Sequence, residues 1–266
     1  MDIELYFQPE LERPQLHGFA MGNAVVFSRG APDKQSPNED AAALLAVNDH
    51  ALLLIVADGM GGQPYGERAS DLAVRRVIAA VNEGPTDEPS LRGSILNGIE
   101  DANRAIAELG VGAGTTLAIA EIQGRTVRTY HVGDSMILVT GQRGRIKLQT
   151  TPHSPVGYAV EAGVLDELEA MHHEDRHVVS NALGSADMRI EMGSSITMAP
   201  RDTLLLATDG LFDNLHTPEI IERIRRGPLP KQAEKLAQCC RARMVAPDAG
   251  EPSKPDDLTF LLFRRA

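Results

Sequence analysis

Five acidic positions lie where apolar runs begin or end. Asn38-Glu39-Asp40 leads into AAALLAV, Asp58-Gly59 closes LLLIVA, Asp209-Gly210 closes LLLAT, and Asp256-Asp257 leads into LTFLLF; Asp134 sits in HVGDS between two further runs. A carboxylate at the end of a buried strand is poorly solvated. Several brought together repel and raise one another's pKa unless cations stand between them. Hard divalent ions meet that need with all-oxygen coordination. The glycine after Asp58 and Asp209 lets the chain turn sharply and lets a carbonyl or ligand come close. One Asp-Gly is an ordinary turn. Two at the ends of apolar strands, with Asp-Asp at the start of a third, point to a shared cation site. DGMGG is not a nucleotide loop: no Lys-Ser/Thr follows Gly62, and the spacing of Gly59, Gly61 and Gly62 misses the dinucleotide fingerprint.

The elements that must carry these acids are mostly strands. Asn23 to Ser28 reads as a short strand, and residues 41–57 read as a hairpin turning at Asn48-Asp49. Ala51 to Ala57 is apolar throughout, as in a strand buried on both faces. Helical spacing runs from Arg68 to Val81 and from Leu91 to Leu109. Strands follow at Thr115–Ile122, Thr126–His131, Met136–Thr140 and Arg145–Gln149, with turns at Gln123-Gly124 and Arg143-Gly144. Residues 151–175 read as an irregular excursion with one short helix. Further strands are expected at His177–Ser180, Ser194–Met198, Thr203–Ala207 and Leu258–Phe263, and helices at Thr217–Arg226 and Lys231–Met244. This is not βαβα alternation. It predicts an α+β chain of packed antiparallel sheets with helices outside. Residues 1–17 lack periodicity and read as a loose N-terminal arm, leaving residues 18–266 as one domain.

Composition narrows the function. The chain has 266 residues, 42% hydrophobic and 24% charged, with a net charge of −11. That acidity argues against binding to nucleic acid or to anionic membranes. It is read partly as solubility and partly as aspartates awaiting cations. No apolar run is long enough to span a bilayer, and MDIELYFQPELERP carries acids where a signal peptide begins with basic residues. Cys239 and Cys240 are adjacent on an expected helix, so they point apart. A disulfide-stapled scaffold and a Cys-rich zinc site are excluded. The expectation is a cytoplasmic monomer.

SPNEDA, VADGMGGQPYGERAS, GAGTTLA, HVGDS, ATDGLFDN and PDDLTFLL occur in an order that resembles the metal-dependent protein phosphatases, the PPM or protein phosphatase 2C-like family, over about residues 20–265. The resemblance implies a four-layer αββα fold, a central antiparallel β-sandwich flanked by helices on both faces. It implies hydrolysis of phosphoserine and phosphothreonine in phosphoprotein substrates, opposite a serine/threonine kinase, by water activated by two Mn²⁺ or Mg²⁺ ions. By position, Asp58 resembles the carboxylate bridging the two core ions, and the carbonyl of Gly59 a ligand of the second. Asp209 and Asp256 resemble ligands of the first. Glu39 and Asp40 resemble the acids that hold coordinated waters, and Asp134 the ligand of a third, weaker ion. The segment at 151–175 takes the place of the family's flap, where Arg176 or His177 could touch substrate.

The sequence departs from the pattern in three places. Gln35 stands where the family has a phosphate-gripping Arg, with Lys34 beside it and Arg29 further back as the two candidate phosphate ligands. Met60 replaces the proposed general-acid His of eukaryotic members; bacterial members often carry Met there and a His later, where this chain has Gln63. Asp257 replaces an Asn. His153, His172, His173 and His177 read as a solvent-facing cluster. The competing reading is a silent phosphatase-fold binding module. Such a module is expected to lose metal aspartates, and Asp58, Asp209 and Asp256 are all present.

Overall fold

The apolar run at Ala51–Asp58 has a hydrogen-bonded strand at each edge and an apolar core against each face, as its unbroken apolar sequence predicts. The structure is a computed structural model and describes residues 1–60, 65–85, 87–246 and 250–265. Its first sheet runs β1 (Asp2–Phe7), β4 (Asp40–Asn48), β5 (Ala51–Asp58), β6 (Leu117–Gln123), β7 (Thr126–Val132) and β10 (Glu191–Met192), with β11 (Ile196–Thr197) also paired to β7. The second runs β2 (Gln15–Phe19), β3 (Gly22–Arg29), β13 (Leu258–Arg265), β12 (Thr203–Ala207), β8 (Met136–Thr140) and β9 (Ile146–Gln149). Neighbouring strands are antiparallel.

Period-two alternation divides each strand between two cores. In β5, Leu52, Leu54 and Val56 face the second sheet, while Leu53, Ile55 and Ala57 face α1 (Gly66–Glu83) and α2 (Glu88–Ala107). In β12, Leu204 and Leu206 face the first sheet. Leu205 and Ala207 face the helices α6 (Thr217–Ile224) and α7 (Leu229–Val245), which follow the one-turn α5 (Asp209–Phe212). The result is the expected αββα order. Parity also settles a functional point: Asp40 and Asp58 have the same parity as Ala42 and Val56, so their carboxylates lie on the inter-sheet face at one end of the sandwich.

Three readings are corrected. The N-terminal segment is not a loose arm. β1 pairs with β4 from Asp2↔Ala46 to Phe7↔Ala41, and β2 pairs with β3. Both are edge strands whose outer faces carry charged and exposed residues, which hides the alternation. The excursion at 151–175 holds two short helices, α3 (Pro155–Glu161) and α4 (Glu167–Met171), rather than one. His177–Ser180 forms no strand; a 3₁₀ turn spans Glu174–His177, and Ser180 N–H donates to the His153 carbonyl instead.

Candidate active site

Asp40 opens β4 and Asp58 closes β5, and the register sets them directly opposite. Like charges facing across an antiparallel pair are destabilising. Asp40 is buried; its Oδ2 accepts from Thr208 Oγ1 at 3.0 Å, while its Oδ1 is buried with no partner. Burial, then the Asp257 charge, hold the Asp40 carboxyl well above the usual range, with Thr259 and Thr208 hydroxyls pulling the other way. Asp58 is raised likewise by burial and then by Asp40, Asp209, Asp256 and Asp134. Five of the acids singled out in the sequence therefore feel one another's charge.

The GAGTT segment, given no role by its residue types, fixes Asp58. Asp58 N–H donates to Thr116 Oγ1 at 3.0 Å, and Thr115 Oγ1 donates to the Asp58 carbonyl at 2.7 Å. Thr116 Oγ1 also meets Ser135 Oγ at 2.7 Å, which ties the Asp134 loop to the same strand. Asp134 is pushed up to about 8, by burial first and then by Asp209 and Asp213, against the pull of Lys254. Asp256 is pushed up to about 6 by burial and Asp209, again opposed by Lys254.

The two Asp-Gly steps are required by close backbone approach. A Cβ on Gly59 would stand 2.3 Å from the Gly66 carbonyl oxygen, and one on Gly210 would stand 1.9 Å from that of Asp257. Gly210→Ala is therefore expected to lower stability by about 1–3 kcal/mol or more through overpacking. Gly93→Ala, on α2 with open space at its Cβ, should raise it by roughly 0.5–1 kcal/mol. Urea midpoints of the two variants check the contrast.

An all-oxygen donor set, an orphaned buried carboxylate oxygen and mutually raised pKa values fit hard divalent cations. Two other groupings of His and acid fit an ion poorly. The rings of His131 and His153 stack 4.3 Å apart with planes 21° from parallel, so their nitrogens do not converge on one point. In the His216, Glu219 and Glu251 group, Arg243 already pairs with both acids, at 3.1 and 2.9 Å.

The sequence model of the family described as Protein phosphatase 2C matches residues 29–246. The chain belongs to the protein phosphatase 2C family. Serine/threonine phosphatase stp of Listeria welshimeri is 28% identical over 237 residues, covering 86% of this chain and 90% of that one. Among solved structures, the Streptococcus agalactiae serine/threonine phosphatase superposes with a TM-score of 0.74 at 27% identity, over 99% of each chain. The Ser-Thr phosphatase MsPP of Mycobacterium smegmatis, solved with cacodylate, gives 0.71 at 28% identity over 91% of this chain and 98% of that one. Family membership makes the enzyme class that of a phosphoprotein phosphatase, a hydrolase.

Against the 2C pattern, two of the three departures touch each other. Lys34 Nζ donates to Asp257 Oδ2 at 2.6 Å and to Glu39 Oε2 at 2.8 Å. Asp257 is buried and also accepts from Ala31 N–H at 2.8 Å and Glu39 N–H at 2.7 Å. The extra acid and the lysine thus brace the 30–39 loop together. Arg29 is far less engaged, 3.9 Å from Glu10 and half-exposed. Met60 packs its sulfur against Gly114, whereas Gly61, Gly62 and Gln63 lie outside the described residues.

His153 overturns the reading of a solvent-facing cluster. It is buried, its Nδ1 accepts from Gly133 N–H at 3.0 Å, and its backbone N–H donates to the Gly133 carbonyl at 3.0 Å. It therefore straps the loop carrying Asp134. His172 and His177 are exposed as expected. Arg176 donates to the carbonyls of Met171 and Ser253 and helps line a cleft of about 340 Å³ whose lining also includes Asp134, Asp209 and Asp213. Two charged residues of the site went unmarked in the sequence, Asp213 and Lys254. Asp213 lies one helical turn after Asp209 in TDGLFDN, and that i, i+4 spacing was the available signal. Lys254 stands two residues before Asp256 and carried none.

Proposed function

We propose that this chain hydrolyses phosphoserine and phosphothreonine in phosphoprotein substrates, opposite a serine/threonine kinase, with Mn²⁺ or Mg²⁺ as cofactor. The supporting observation is the facing pair Asp40 and Asp58, with Asp134, Asp209 and Asp256 close enough to raise Asp58 and with an orphaned oxygen on Asp40. Asp58, the Gly59 carbonyl, Asp209 and Asp256 would hold the core ions, Glu39 and Asp40 their waters, and Asp134 a third ion. When bound, such ions lower the pKa of a water and neutralise phosphoryl oxygens. Lys34 has three N–H donors and spends two on carboxylates, which leaves one for a phosphoryl oxygen. The apolar wall formed by Val156, Val160, Met171 and Phe212 excludes water beside Asp134 and Asp209 and receives the peptide. A cysteine nucleophile has no place in this scheme. Cys240 is buried on α7, bonded to the Gly210 carbonyl, with its thiol pushed far up by burial.

Phosphate release from phosphopeptides by chelator-stripped protein, assayed with and without Mn²⁺, tests this reading. Turnover is expected only with the ion. Undiminished turnover in excess chelator overturns the metal role, and metal-dependent peptide binding without release favours the silent binding module.

A further inference from the structure

The backbone of Lys254 is pinned at two points. Its N–H donates to Asn214 Oδ1 at 2.8 Å, and Asn214 Nδ2 donates back to the Lys254 carbonyl at 2.8 Å and to the Gly210 carbonyl at 2.9 Å. Arg176 holds the preceding Ser253 carbonyl, and Pro255 restricts the residue before it to extended backbone. This clamp delivers the side chain into the acids. Nζ lies 2.5 Å from Asp209 Oδ2, 3.0 Å from Asp256 Oδ2 and 3.0 Å from Asp213 Oδ2. The last contact is poorly aligned: Asp213 Oδ2 is buried and has no hydrogen-bond partner. An ammonium ringed by three carboxylates, one of them unsatisfied, does the electrostatic work of a small cation. The side chain is 24% exposed, so it has a way out to water.

We propose that Lys254 is a built-in counter-cation: its ammonium holds the place among Asp209, Asp213 and Asp256 that a divalent ion takes, and it withdraws when the ion enters. The inference rests on the metal reading above. Its consequence is a preformed site without metal and a weakened affinity for the ion, because each binding event must break three ion pairs at close range. Met at this position keeps the length of the side chain and removes the competitor.

Two measurements on the full chain decide it. In calorimetric titration of chelator-stripped protein with MnCl₂, Lys254→Met should bind Mn²⁺ at least about tenfold more tightly than wild type. In wild type, acylation of Lys254 by an N-hydroxysuccinimide ester, read by peptide mass spectrometry, should speed up when Mn²⁺ is added. The exposed Lys231 and Lys235 on α7 serve as unchanged references. Equal or weaker Mn²⁺ binding by the variant, or slower labelling of Lys254 with Mn²⁺, overturns the proposal. Should Lys254→Met fail to fold without metal, the wild-type labelling decides alone. Absence of Mn²⁺ binding by wild type overturns the metal reading itself and this inference with it.

Discussion

Asp58→Asn and Asp209→Asn should each remove turnover, and Asp58→Asn should leave the metal-free protein at least as stable as wild type. Both substitutions keep side-chain size and delete one charge. Asp58 faces Asp40 across the β4–β5 pair and is raised by four other acids, and Asp209 is among the causes raising Asp58, Asp134 and Asp256. Deleting the Asp58 charge relieves repulsion in the metal-free state, deleting the Asp209 charge also breaks its ion pair with Lys254, and either change removes attraction for the ions. The loss in kcat at saturating Mn²⁺ should be at least about 10²-fold, the size seen when one preorganised electrostatic group is removed from an active site. Thermal melts in chelator should show equal or higher Tm for Asp58→Asn. A wild-type rate for either one would place the core of the site elsewhere. A collapsed fold in chelator would show that the carboxylate supports structure rather than charge.

The acids were legible in the sequence because each ends or begins a run of apolar residues, and strand ends are what a sandwich gathers at its rim. The exact pairing of Asp40 with Asp58 was not: an Asn48-Asp49 turn would set Asp40 against Ala57, whereas the turn falls at Asp49-His50 and a register shift between Ala46 and Asn48 brings Asp58 opposite. What was not legible depended on contacts between distant segments. Lys34 was marked as a candidate phosphate ligand, but its bond to Asp257 was hidden because that partner is 223 positions away. Lys254 looked like an ordinary charge because the clamp from Asn214 spans a separation of 40 residues. His153 looked solvent-facing because it falls in the irregular 151–175 segment, yet its ring packs on His131 and bonds to Gly133. The N-terminal strands were hidden for a different reason: edge strands bury only part of one face, so the apolar alternation that marks a strand is absent.

Without metal, the protein should lose stability as pH rises from 6.5 to 8, and Mn²⁺ should abolish the loss. The sign follows from proton counting. A carboxyl whose folded pKa is raised binds more protons in the native than in the unfolded state, between its ordinary value and its raised one. Stability then falls with pH across that interval. For Asp256 the interval runs from 3.8 to about 6, and for Asp134 from 3.8 to about 8. His131 works in the opposite direction. Burial and then the neighbouring His153 lower its pKa, so it adds stability as pH rises toward its ordinary value of 6.5. Above 6.5 that contribution is spent, and the carboxyls act alone. One pKa unit corresponds to about 1.4 kcal/mol, so Asp134 titrating across this window should lower Tm by about 3–6 °C in a chain of this length. Bound ions select the ionised carboxylates and cancel the slope. Scanning calorimetry at pH 6.5, 7.2 and 8, with chelator and with Mn²⁺, measures both curves. Asp134→Asn should make the chelator curve shallower, the remaining slope belonging to Asp40 and Asp58, without altering the Mn²⁺ curve to the same degree. A chelator curve already flat in wild type would mean that the Asp134 carboxyl is ionised throughout, with Lys254 alone sufficient to balance it.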